Sequence, residues 1–154
     1  ICIRYGEILK KSLLEIPNKG VINFHPSLLP KYRGLGSIFQ ALLHNENEIG
    51  FSFHYINEDI DTGQIIKSEK IKIEQNESVS RLSIRTHIAG SYELLSIINN
   101  LKNENMETKE ILQDEGNYFS WPEKKDVKKF LQYRKKYFQI KDFFSLVFYN
   151  PKNF

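Results

Sequence analysis

One cysteine, one methionine and one tryptophan are all that this chain of 154 residues holds of those three types. A lone Cys2 excludes an internal disulfide framework and suits a reducing, cytoplasmic setting. No apolar run approaches the roughly 20 residues of a membrane span, so no membrane partner is expected, and no secretory signal precedes the first apolar segment. Asn76-Glu77-Ser78 fits the glycosylation sequon, but without such a signal it reads as chance. His25, His44, His54 and His87 show neither HxxxH nor Cys-pair spacing, which argues against any metal site. A GxxxxGK phosphate loop and a GxGxxG fingerprint are both missing. No Ser-His-Asp order stands out, because Ser27 lies between prolines rather than on a sharp glycine turn.

What is present is a globular composition, 40% hydrophobic and 27% charged, in a chain long enough for a real core. The net charge of +3 is uneven: residues 121–154 carry nine Lys/Arg against three Asp/Glu, the first 120 thirteen against sixteen. A basic tail on a mildly acidic body serves either an anionic partner or a solvated helix face. The chain opens on Ile1-Cys2-Ile3 with an apolar strand already under way, which suggests a fragment lacking its amino-terminal part.

Taken in order, Ile1 to Arg4 reads as a buried strand ending at Gly6, and Ile8 to Glu15 as a short helix. Pro17-Asn18-Lys19-Gly20 is turn chemistry leading to a strand over Val21 to Phe24. Ser37 is expected to cap a helix ending near Asn45, with Ile38, Ala41, Leu42 and Leu43 inward. From Phe51 to Ile56 the pattern alternates, so Phe51, Phe53 and Tyr55 face one way and Ser52 and His54 the other. Gln64 to Ile66 and Ile71 to Ile73 read as two short strand segments. Ser78 is a plausible cap for a helix to about Asn99, with a stripe of Val79, Leu82, Ile84, Ile88, Leu94, Leu95 and Ile98. Glu110 to Leu112 reads as a short strand, and Tyr118 to Pro122 as an aromatic turn. Val127, Phe130, Leu131 and Arg134 share one helical face, while Phe143 to Phe154 shows no clear period. The expected division is a body over 1–112 and a basic, aromatic tail over 113–154.

The stretch Val21-Ile22-Asn23-Phe24-His25-Pro26-Ser27-Leu28-Leu29-Pro30 organises the chain. A strand that presents an amide and an imidazole at its carboxyl edge sits where open α/β sheets keep their ligands. Asn23 and His25, two residues apart, point to one face, where their N–H groups can stabilise an oxyanion and deliver a proton. A capped strand end with a hydrogen-bonded histidine explains the same residues. Lys31 to Gly36 is a basic loop with two glycines, in which Arg33 either meets a phosphate or ties the loop down. The carboxylates of Asn57-Glu58-Asp59-Ile60-Asp61-Thr62-Gly63 either converge, raising one pKa, or are solvated in an exposed turn.

Read together, Asn23 to Pro30, Tyr32-Arg33-Gly34, Ser52-Phe53-His54 and Asp59 to Ile66 resemble the formyltransferase family that uses 10-formyltetrahydrofolate. The resemblance covers roughly residues 1 to 100. It implies an α/β fold, a Rossmann-like and mostly parallel sheet flanked by helices, with the folate at the carboxyl ends of the central strands. It implies formyl transfer to a primary amine of a small phosphorylated or nucleotide-linked acceptor, with Asn23, His25 and Asp61 catalytic and Ser52 and His54 in support. In that reading Asn23 donates to the formyl oxygen, His25 stabilises the charge and moves the proton, and Asp61 holds His25 charged or oriented. Gly6, Ile8 and Leu9, with the turn Glu58-Asp59-Ile60-Asp61, match the segments that cradle the pterin, and Arg33 is the acceptor-side candidate. The family's first strands, with the loop that holds the acceptor, have no counterpart here. The tail from Trp121 onward does not match the carboxyl-terminal barrel of methionyl-tRNA formyltransferases. The rival readings are a methionyl-tRNA formyltransferase-like enzyme binding tRNA, a formyltetrahydrofolate hydrolase, and an inactive folate-binding remnant.

Overall fold

The structure is a computed structural model in which residues 1–110 and 116–147 are described. A four-stranded sheet runs in the order β1 (Cys2–Ile3), β2 (Ile22–His25), β4 (Glu48–Tyr55), β5 (Ile65–Lys72). Cys2 pairs with Asn23 in the parallel sense, whereas β2 with β4 and β4 with β5 are antiparallel. The sheet of this chain is therefore mixed rather than mostly parallel. The β4–β5 pair is antiparallel because the two strands are joined directly as a hairpin and need no helical crossover. A smaller parallel pair joins β3 (Arg33–Gly34) to β6 (Tyr118–Phe119).

The alternation of Phe51 to Tyr55 is real, and it sorts the two faces of the sheet. Phe24, Phe51 and Phe53 meet on one face with ring centroids 5.3–5.8 Å apart. Each is buried, and such a side chain contributes about 1.5–3 kcal/mol by leaving water. The helix α3 (Val79–Lys102) covers this face, and it can come close because Gly90 lies against Phe24. A Cβ on Gly90 would stand 2.2 Å from the Phe24 ring. Ser78 caps α3, its hydroxyl accepting from the Arg81 N–H at 3.1 Å. The buried stripe is Val79, Leu82, Thr86, Gly90 and Ile97, while Leu95 is exposed. The expected stripe was built on large apolar residues and so passed over the small residues that a close helix–sheet contact requires.

Other boundaries differ from expectation. α1 spans only Lys11–Leu14 and buries nothing. Ile1 and Ile3 are exposed rather than core, because among the described residues β1 has a single neighbour. Gly36, not Ser37, occupies the cap position of α2 (Ser37–Leu43), and the Ser37 hydroxyl donates instead to the Pro26 carbonyl at 3.1 Å. All seven α2 residues are buried. The two expected segments after Gly63 are one continuous β5. In the tail, α4 (Lys124–Gln132) docks through Phe130, stacked on Phe39 of α2 at 4.5 Å. Val127 and Leu131 stay exposed, so a single aromatic rather than a full stripe makes the contact. The last described helix is α5 (Ile140–Val147). The expected strand at Ile111-Leu112, the division at residue 112 and the end from Phe148 lie outside the described residues.

Candidate active site

In the antiparallel ladder Asn23 stands opposite His54 and His25 opposite Ser52. Directly opposed residues share a face, so all four side chains lie on the side of the sheet away from Phe24. β4 ends at Tyr55, beside Ile22 at the start of β2, not at its carboxyl end. Asp61 thus does not reach the site from a parallel strand end. The connection after Tyr55 folds back, with Asp61 in the left-handed region at φ 53°, and delivers the carboxylate to His25.

Asp61 stands between two imidazoles. Its Oδ2 is 3.4 Å from His25 Nδ1, and its Oδ1 is 3.4 Å from His54 Nε2. The Gly34 N–H donates to Oδ2 at 2.8 Å. Asn23 completes the line, its Nδ2 lying 3.3 Å from His54 Nε2. The other nitrogen of each ring is held by a main-chain carbonyl, His25 Nε2 by Tyr32 and His54 Nδ1 by Tyr55, both at 2.8 Å. A carbonyl only accepts, so His25 carries its hydrogen on Nε2 and His54 on Nδ1. The free nitrogens of both rings then face Asp61. An incoming proton has one place to settle, between those nitrogens and the carboxylate.

Burial of His25, 5% exposed, lowers the affinity of its imidazole for a proton, and this outweighs the opposing pull of Asp61 and the Tyr32 carbonyl. Of the two expected roles for Asp61, keeping His25 charged or keeping it oriented, the geometry at rest fits the second, because desolvation of the enclosed ring exceeds one attraction at 3.4 Å. Asp61 suffers the same desolvation, but the neighbouring His54 and His25, when a proton sits on the ring nitrogen that faces it, and the Gly34 N–H overcome it and hold the carboxyl below its ordinary range. The result is a neutral histidine beside an ionised aspartate.

The remaining expected residues fall in different places. Ser52 does not join the group: its hydroxyl donates to the Ser27 carbonyl at 2.8 Å and accepts from the Leu29 N–H at 3.0 Å, pinning the turn after β2. Glu58 and Asp59 are exposed, whereas the Asp61 side chain is enclosed beside His25 and His54, so the three carboxylates do not share one environment. Glu58 pairs with Lys11 at 2.8 Å, which sets the turn 57–61 beside the segment containing Ile8 and Leu9. Ile8 is exposed, Leu9 is half-buried, and open space surrounds Gly6. Arg33 enters β3 through its main chain, and its Nε is buried with no hydrogen bond among the described residues. Among the described residues no group of acidic, histidine or cysteine side chains could hold a metal ion.

Two site groups were invisible in the residue types, the Tyr32 carbonyl and the Gly34 N–H, because they belong to the backbone. Their signal was indirect, in the glycines of the loop that carries them. Tyr32 itself sits in the left-handed region at φ 58°, a conformation uncommon outside glycine that concentrates at functional positions.

A mixed α/β sheet flanked by helices defines a class of fold, and the comparisons name the family within it. The sequence profile of the formyl transferase family matches residues 1–98. This chain belongs to that family. It is 36% identical over 103 residues to a methionyl-tRNA formyltransferase of Ehrlichia ruminantium (strain Welgevonden), covering 67% of this chain and 34% of that protein. The sugar 3N-formyl transferase WlaRD, solved with dTDP and 5-N-formyl-THF, superposes with TM-score 0.71 at 27% identity, over 77% of this chain and 43% of that one. The N-formyltransferase of Helicobacter canadensis, complexed with folinic acid and dTDP-3-aminofucose, gives 0.70 at 29%, over 76% and 43%. The chain spans about a third of the length of the curated relative. Among the described residues no helix is long and apolar enough to cross a membrane.

Proposed function

We propose that this chain carries the catalytic group of a formyltransferase that takes its formyl group from 10-formyltetrahydrofolate and gives it to a primary amine. The observation that supports this is Asp61 placed between His25 and His54, with Asn23 at the end of the line. The donor supplies a carbonyl carbon activated by the nitrogen it leaves. The residues fit such a group: half-buried Asn23 has one amide hydrogen engaged with His54 and a second left for an oxygen that gains negative charge. Removing a donor of that kind from an oxyanion site costs about 2.7–4 kcal/mol.

His25, His54 and Asp61 take up the proton that the attacking amine must lose. Neutral His25 accepts on Nδ1, and Asp61 offsets the charge so created. The proton then passes on to the folate nitrogen that leaves, so the step ends with the group as it began. Gly6, Ile8 and Leu9 with the turn at Glu58 and Asp59 form the pterin side, joined by the Lys11–Glu58 pair. Arg33, its Nε buried and unpaired among the described residues, is the acceptor-side cation. The acceptor is a small phosphorylated or nucleotide-linked amine. The two superposed structures with dTDP or dTDP-3-aminofucose favour this class, whereas similarity to a methionyl-tRNA formyltransferase favours tRNA.

Incubating the purified chain with 10-formyltetrahydrofolate and either a dTDP-linked amino sugar or methionyl-tRNA separates the readings. Tetrahydrofolate formed only with the amino sugar supports the proposal, and formation only with the tRNA moves the assignment to that acceptor. Formate released without any acceptor supports the hydrolase. Folate binding without turnover, or none at all, defeats the catalytic reading.

A further inference from the structure

The structure places the segment Gly116 to Pro122 across the loop whose backbone bonds to both His25 and Asp61, and we propose that it is a strap that positions these two residues. The strap arises some 85 positions after the loop in sequence, beyond the residues that the family profile matches. It pairs with the loop as a parallel strand, β6 beside β3. The Arg33 N–H donates to the Asn117 carbonyl at 2.9 Å, and the Leu35 N–H to the Phe119 carbonyl at 2.8 Å. Asn117 also accepts the Tyr32 N–H on its side-chain Oδ1 at 2.6 Å. Phe119 stacks on the Tyr32 ring at 5.5 Å and 19°. The Tyr32 hydroxyl is tied to Glu46 at 2.8 Å, so the residue is gripped from three sides.

The backbone groups left over in this loop are those the site uses. The Tyr32 carbonyl fixes the Nε2–H form of His25, and the Gly34 N–H fixes Asp61. A residue whose carbonyl must point at His25 while its φ is 58° does not hold that pose unaided. The strap supplies the holding bonds. Asn117 is thus a positioning residue that never needs to touch substrate, and its effect reaches the chemistry through Tyr32. The catalytic consequence rests on the proposed formyl transfer, but the geometric one does not.

The test is therefore made on the rings. Nitrogen-15 NMR of the histidine side chains, with His25 assigned by a His25→Gln variant, reads the tautomer directly. Amide exchange at Tyr32 and Gly34 is followed alongside exchange at Phe53 in the core. In the parent chain His25 should be in the Nε2–H form with both loop amides protected. Asn117→Ala should give a mixture of tautomers and raise exchange at Tyr32 and Gly34 at least tenfold, with Phe53 unchanged. Asn117→Asp keeps the accepting oxygen and should restore both. An unchanged tautomer and unchanged exchange in Asn117→Ala overturn the strap. If Asn117→Ala unfolds the chain, Phe119→Leu, which removes the stack but keeps the backbone pairing, takes its place under the same two outcomes. If Asn117→Ala changes the tautomer as expected but the parent chain itself transfers no formyl group, the proposed reaction is refuted and the strap stands.

Discussion

Replacing Asp61 by Asn separates charge from shape. The amide can keep the Gly34 N–H on its oxygen and turn its NH2 toward His54 Nε2, so packing and hydrogen-bond number change little. What disappears is a negative charge 3.4 Å from His25 Nδ1, worth about 4–5 kcal/mol to an imidazolium at an effective dielectric constant near 20. If the transition state carries that imidazolium, turnover should fall roughly 10³-fold. The His25 imidazole, already lowered by burial, should be lowered further, which NMR titration of its ring proton follows. Stability then responds in two windows of pH. Below the ordinary imidazole value of about 6.5, an unfolded chain binds a proton that neutral folded His25 refuses, so the variant should lose more stability than the parent on mild acidification. In the parent, the depressed Asp61 carboxyl contributes stability that is present above about 3.9 and lost as pH falls through its folded value. The variant lacks this contribution, so its further decline below about pH 4 should be shallower. Urea denaturation across that range measures both. An unchanged His25 titration would refute the reasoning, since it would mean that Asp61 does not act on the ring. The double change His25→Ala with Asp61→Asn should be little slower than the worse single variant, because the two work as a unit.

Asn23→Ala removes the proposed oxyanion donor, so kcat should drop about 10²–10³-fold while folate affinity, measured by calorimetry, holds. Gly90→Ala forces a methyl group against the Phe24 ring and should cost about 1–3 kcal/mol in chemical denaturation, with α3 displaced from the sheet. Neutralising Lys124, Lys125, Lys128 and Lys129 together should leave Tm and turnover unchanged, since α4 docks through Phe130; a lost, salt-sensitive affinity for tRNA would instead make the tail an RNA-binding element.

The shared face of Asn23, His25 and His54 was legible because strand periodicity is short. Two residues apart on β2 means one face, and the alternation of β4 put His54 on a single side as well. The direction of β4 was not legible. An 8-residue apolar strand reads alike in either sense, and only the partner register shows that Asp61 comes back from the wrong end of the sheet. Ser52 looked like a supporting residue by neighbourhood, yet a hydroxyl that faces two backbone groups is spent on them, and no residue count reveals that. The charge state of His25 turned on burial, which depends on packing beyond its own strand. Asn117 lay furthest out of reach, since a side-chain oxygen that accepts a backbone N–H 85 positions away leaves no pattern to find.

The hairpin of β4 and β5 has a consequence for anyone who makes this protein. A slip of one residue between β2 and β4 would send His54 and Ser52 to the phenylalanine side and carry Asp61 away from His25. Such a molecule could keep its helix content and much of its compactness while holding no proton-sharing group at all. Far-ultraviolet dichroism would count it as native. The His25 ring signal would not, and it therefore reports the fraction of a preparation whose strands have paired correctly, before any substrate is chosen.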